Sequence, residues 1–139
     1  MNISGNDIFN YIPQRPPILM IDSLYEASES KIVSGFFVTS DNIFVENGML
    51  NESGIIENIA QTAAAGIGYK QVTTKKPVNL GYIASIKTLI IHSLPLVSSK
   101  LKTTIEVINE VLDITIVNAY VYILDKKIAE CEIRIFIKK

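Results

Sequence analysis

The chain has 139 residues, 48% hydrophobic and 19% charged, and its 13 basic and 14 acidic residues leave a formal net charge of −1. That length and apolar content specify one domain, residues 1–139, with a real core and a capacity to oligomerise; the balanced charge gives no electrostatic case for nucleic acid. The lone Cys131 excludes an internal disulfide, the single His92 argues against a His/Cys metal site, and no apolar run approaches the roughly 18 residues of a membrane span, so without a signal peptide the expected location is the cytoplasm.

Taken in order, residues 1–12 read as a short helix or turn with Asn6 or Asp7 as its cap. Pro13-Gln14-Arg15-Pro16-Pro17 forbids regular helix. Ile18–Tyr25 reads as extended and apolar, interrupted by Asp22, and Lys31–Thr39 as a strand. An irregular stretch, Ser40–Asn51, carries Glu46, Asn47 and Gly48. From Asn51 to Tyr69 the small and aliphatic residues recur at helical spacing over more than half of the wheel. Glu57, Asn58, Gln61 and Thr62 share the narrow polar stripe that remains, the pattern of a helix buried on most of its surface.

Gln71–Asn79 reads as a polar loop with Lys75 and Lys76. Strands follow at Leu80–His92 and Leu101–Glu110, then a hairpin of Ile114–Leu124 and Lys127–Ile137 turning through Asp125-Lys126. In the last strand Ala129, Cys131, Ile133, Ile135 and Ile137 alternate with Glu130, Glu132, Arg134 and Phe136, one face in and one out. Strand, buried helix, then four antiparallel strands is the order of an α+β hotdog fold, a curved antiparallel sheet wrapped around one long central helix. Its sheet edges need covering, commonly by pairing across a dimer.

Three motifs add a family. Ile12-Pro13-Gln14-Arg15-Pro16-Pro17-Ile18-Leu19-Met20-Ile21-Asp22 resembles the opening of FabZ-type 3-hydroxyacyl-ACP dehydratases. The resemblance continues at Asn42–Gly48 and at Glu57-Asn58-Ile59-Ala60-Gln61, and weakly at Leu94-Pro95-Leu96-Val97. It implies a lyase of fatty-acid or polyketide-like lipid synthesis. There a loop His removes the C2 proton of an acyl-carrier-bound thioester, and a helix acid helps the C3 hydroxyl leave. Helix N-terminal amides polarise the thioester carbonyl.

The acid carries over to Glu57 and the following amide to Gln61, which are the candidate catalytic residues. Glu46, Asn47, Gly54, Ile55 and Asn58 are the candidate substrate-binding residues. The His does not carry over: the matching loop reads Ile43-Phe44-Val45-Glu46-Asn47-Gly48-Met49-Leu50. Losing that base should cost on the order of 10²–10⁴ in rate. In this the chain resembles a divergent branch found in aryl-polyene and related pathways.

Three activities are therefore open. One is an acyl-carrier thioester binder of the dehydratase family with reduced or partner-dependent activity. Another is a hotdog thioester hydrolase in which Glu57 activates water. The last is a non-catalytic subunit completing a heteromeric dehydratase. All three imply a homodimer, a higher oligomer or a heteromer with an intact dehydratase, and no cofactor or metal. Outside the motifs, His92 reads as a surface or interface residue, Arg15 as an anchor of the N-terminal segment, and Gly54, Gly66 and Gly68 as close helix–sheet packing.

Overall fold

The structure is a computed structural model and describes residues 1–75 and 81–137. The chain opens with a two-residue strand β1 (Ile3–Ser4) and a 3₁₀ helix (Gly5–Asn10). Neither Asn6 nor Asp7 caps this helix. Both lie inside it, because the turn starts one step earlier, where Gly5 takes a left-handed φ of 60°. The expected extended segment Ile18–Tyr25 also starts late: residues 16–18 form a turn, and strand β2 is Ser23–Ala27. Asp22 interrupts it for a structural reason. Its Oδ2 accepts from Phe37 N at 2.7 Å and its own N–H donates to Gly35 O at 3.0 Å, fastening the end of β3 (Lys31–Phe37).

The stretch read as irregular contains a small hairpin, β4 (Val45–Glu46) and β5 (Met49–Leu50), turning through Asn47-Gly48. Both turn residues have positive φ, 53° and 77°, as a type I′ turn requires. Asn-Gly is the signal for such a turn, but two-residue flanks show no alternation.

Helix α1 spans Glu52–Thr73, with Asn51 as its cap: Asn51 Oδ1 accepts from Gly54 N at 2.9 Å. It runs beyond Tyr69, so Gln71–Thr73, expected in a loop, are helical. The Thr73 and Thr74 hydroxyls bond back to Tyr69 O and Lys70 O, both at 2.8 Å, and satisfy the last carbonyls. Thr74 and Lys75 form a turn, and residues 76–79 of that expected loop, with the expected strand start at 80, lie outside the described residues.

Four long strands follow: β6 (Gly81–Ile91), β7 (Lys100–Val111), β8 (Ile114–Ile123) and β9 (Lys126–Ile137). They join β1, β2 and β3 in an antiparallel sheet of order β1-β2-β3-β7-β8-β9-β6, with β4 and β5 apart as a two-stranded sheet. The last hairpin turns through Leu124-Asp125, one residue earlier than expected, since Lys126 already pairs with Ile123. Leu112-Asp113 does the same between β7 and β8. In both turns the Leu has positive φ, so a two-residue loop overrides what its side chain prefers.

The inner faces of β8 (Thr115, Val117, Ala119, Val121) and β9 (Ala129, Cys131, Ile133, Ile135) are buried, in the expected alternation. Apart from Thr115, they form one apolar core with Ile55, Ile59 and Ala63 of α1. The curved sheet thus wraps one helix, which packs on β2, β3, β6 and β7.

Candidate functional site

Three of the four residues of the polar stripe of α1 do not meet water. Asn58, Gln61 and Thr62 are fully or almost fully buried, and each is consumed by hydrogen bonds to chain segments far away in sequence. Ser34 and Thr103 are register partners on β3 and β7, and both hydroxyls point at the helix. Thr103 Oγ1 donates to Asn58 Oδ1 at 2.6 Å. Ser34 Oγ lies 2.6 Å from Thr62 Oγ1, which itself donates to Asn58 O at 2.7 Å. Buried polar groups persist when paired in this way, and the pairing fixes the register of helix on sheet.

The other half of the stripe clamps the N-terminal segment. Asn58 Nδ2 donates to Met20 O at 2.8 Å, and Met20 N donates to Gln61 Oε1 at 2.6 Å, so helix side chains hold both polar groups of the Met20 backbone. Gln61 Nε2 donates to Ile18 O at 2.9 Å and to Glu57 Oε1 at 2.7 Å. Glu57, one turn before Gln61, is half-buried, with Oε1 fixed by the amide and Oε2 unpartnered among the described residues. The arrangement is an oriented carboxylate with one oxygen available, on the N-terminal half of a capped helix.

The ApeP-like family, described as ApeP dehydratase, matches residues 6–138. The chain belongs to this dehydratase family. No curated protein matches it significantly by sequence. Among solved structures, a chain of the dehydratase heterocomplex ApeI:P from Xenorhabdus doucetiae superposes with a TM-score of 0.87, over 95% of this chain and 91% of its own, at 14% identity. Cj0977, a sigma28-regulated virulence protein from Campylobacter jejuni, gives 0.74 over 94% and 92%, also at 14% identity. The E. coli PaaI protein of the phenylacetic acid degradation operon gives 0.67 over 81% and 80%, at 10% identity. At these identities the likeness is one of fold, and the fold is the hotdog.

In this ApeP-like chain the other candidate residues are dispersed. Glu46 and Asn47 are exposed at the β4–β5 hairpin tip, where the FabZ-type enzymes carry their His loop. Gly54 is buried against Leu50 and Phe44, and Ile55 lies wholly in the core. Their N–H groups are both taken by Asn51, through Oδ1 at 2.9 Å and the carbonyl at 3.2 Å, so neither offers a free donor in this conformation.

His92 is remote from Glu57. It follows β6 and reaches the outer face of the sheet, with Nε2 3.6 Å from Glu130 Oε2. Glu130 is also bonded by Lys127, which holds the carboxyl below its usual range and in turn raises the lysine. Arg15 spends its guanidinium on the carbonyls of Ile12 (2.7 Å), Gln14 (2.9 Å) and Phe9 (3.2 Å) and lies over the Phe9 ring, so it anchors the N-terminal segment. Of the three glycines, Gly66 faces Ile32 of the sheet, whereas Gly68 faces the Tyr11 backbone.

Sequence reasoning missed Ser34, Thr62 and Thr103 as members of the site's support. The signal was a lone hydroxyl on the buried face of β3 and another on β7, meaningful only once the strands are set side by side.

Proposed function

We propose that this chain is an acyl-thioester-binding subunit of a dehydratase, supplying the acid Glu57 to a site whose base comes from a partner of the same fold. The observation that carries the reading is half of an acid–base pair. Glu57 is oriented by Gln61 with one oxygen free, while the chain's single histidine stands on the opposite side of the sheet. Removing a C2 proton and expelling a C3 hydroxyl requires a base and an acid on the same substrate, and one carboxylate does not serve both steps well. The fold likeness to a chain of the dehydratase heterocomplex ApeI:P supports a heteromeric arrangement for this chain.

The surface supports a dimer as well. Among the described residues β6 is an edge strand, and Ile83, on the inner face, is 40% exposed although its partner Ile135 is 5% exposed. Ile56, Ala60, Ala64 and Ile67 form a half-buried apolar stripe along α1. A second hotdog chain pairing at β6 would cover the edge and this stripe together.

The test is dehydration of a 3-hydroxyacyl carrier-protein thioester, followed as enoyl product. The protein alone should give no turnover, and a His-bearing dehydratase of the same fold should restore it. Glu57→Gln in the mixture should lower the rate about 10²-fold or more. Full turnover by the chain alone, or release of free thiol in place of enoyl product, overturns the reading.

A further inference from the structure

Beneath the C-terminal half of α1 lies a cavity of about 460 Å³, walled by Ile32, Ala63, Gly66, Ile105, Val107 and Val117. Protein interiors are normally packed with few voids larger than a water molecule, and ligand pockets occupy roughly 300–1,000 Å³. Along α1 its wall is made by the small residues Ala63 and Gly66, with Ile32 packed directly against Gly66. Of its wall residues on the helix, 63, 66 and 70 face away from 57 and 61, while Ile67 borders the half-buried stripe of 56, 60 and 64. It is a half-open pocket whose lining includes neither Glu57 nor Gln61, and Ile67 at its edge also belongs to the apolar stripe of α1.

The rim is polar, with Ser28, Glu29, Lys70, Thr74 and Glu110. Lys70 is already held by Glu29 at 3.5 Å, which leaves the Glu110 carboxylate uncompensated among the described charged residues that line it. An apolar body therefore fits the walls, and an anionic head meets a like charge at the mouth.

We propose that this cavity is a binding site for a slender, uncharged apolar ligand, a chain or ring carrying a neutral polar end and no carboxylate. The inference does not rest on the dehydratase reading, because the pocket's lining includes neither Glu57 nor Gln61.

The test titrates N-phenyl-1-naphthylamine, an uncharged apolar fluorophore, into the intact protein and records both fluorescence and methyl NMR. Saturable binding of one molecule per chain is expected, with methyl shifts confined to Ile32, Ile67, Ile105, Val107, Val117 and Ile135. Decanol should displace the probe, and decanoate at pH 8 should do so about tenfold more weakly or worse. Ala63→Phe and Val117→Phe, which fill the cavity from opposite walls, should each weaken the probe about tenfold or more.

Non-saturable binding, shifts centred on Ile56, Ile83 or Ile90, decanoate equal to decanol, or unchanged affinity in a folded filling variant overturns the proposal. If neither filling variant folds, the wild-type shift map decides. Failure of the dehydration assay leaves this result untouched, since the probe reads no turnover.

Discussion

Gln61 makes three hydrogen bonds with one amide: it accepts from Met20 N and donates to Ile18 O and Glu57 Oε1. Gln61→Leu keeps the volume but strands a buried N–H and a carbonyl, at roughly 1–3 kcal/mol for each group left unpaired. A loss of about 3 kcal/mol in urea unfolding is expected, together with lower activity of any complex that uses Glu57. A stability change below about 1 kcal/mol would show that the clamp is made elsewhere. Cys131 is a different case, a buried thiol whose pKa burial alone pushes up to about 11 from its ordinary 9.0. It stays neutral and slow to alkylate at neutral pH. The folded pKa lies above the unfolded one, so the thiol's contribution is fully present below pH 9 and is lost as pH rises toward 11. Urea midpoints measured between those limits should fall more steeply for the wild type than for Cys131→Ala, the control for Lys and Tyr titration. Equal slopes would mean the thiol is not the linked group.

The joints of α1 distinguish what a helix position says from what it touches. Gly66 and Gly68 look alike in sequence, two small residues on an apolar helix. A Cβ on Gly66 would collide with Cδ1, Cγ1 and Cγ2 of Ile32, a side chain that would have to shift as a whole but is not backbone. On Gly68 it would come within 1.9 Å of Tyr11 O, a backbone atom. Gly68→Ala should therefore destabilise by about 2 kcal/mol or more despite alanine's better helix propensity, and Gly66→Ala by clearly less. Equal effects in urea unfolding would show that the N-terminal segment yields as readily as Ile32. The helix itself, its polar stripe and the alternation in β9 were legible because each obeys a local period. The β4–β5 hairpin and the exact turn at Leu124-Asp125 were not, because they depend on short pairing registers rather than on pattern. Of the candidate site, the placement of Glu57, Asn58 and Gln61 on one stripe of the helix was legible. Their support by Ser34, Thr103 and the Met20 backbone depends on which strands become neighbours, and no local signal carries that.

At the scale of the whole molecule, the sheet order decides where the chain is incomplete. β2 and β3 are followed across the sheet by β7, β8 and β9, and β6 closes the series with one side unpaired. Natural edges are usually guarded by charge, proline or brevity. β6 has eleven residues, and Ile83, Leu89 and Ile90 are all exposed, with Lys87 the one charged residue between Gly81 and Ile91. It does carry two bulges, between Ile83 and Ser85 and between Lys87 and Ile90, with Thr88 at a φ of 53°, so the strand twists and aims apolar side chains to both faces. A partner must therefore meet a twisted edge carrying isoleucines on either face, which suits a second strand of the same kind better than a flat surface. Interfaces of about 800 Å² per chain gain most of their free energy from a few central apolar residues, and Ile83 and Ile90 are the candidates. Replacing both with Lys leaves the strand's hydrogen bonds to β9 intact and puts charge where the partner would pack. Light scattering on an eluting peak should give twice the chain mass for wild type, and the double substitution should weaken association by on the order of a hundredfold or more while unfolding stays cooperative. A wild-type chain that is monomeric alone and pairs only with a His-bearing homologue moves the same edge into a heteromer, with the same loss on substitution. Association that survives both lysines places the interface away from β6, and with it removes the geometric reason for bringing a partner's base to Glu57.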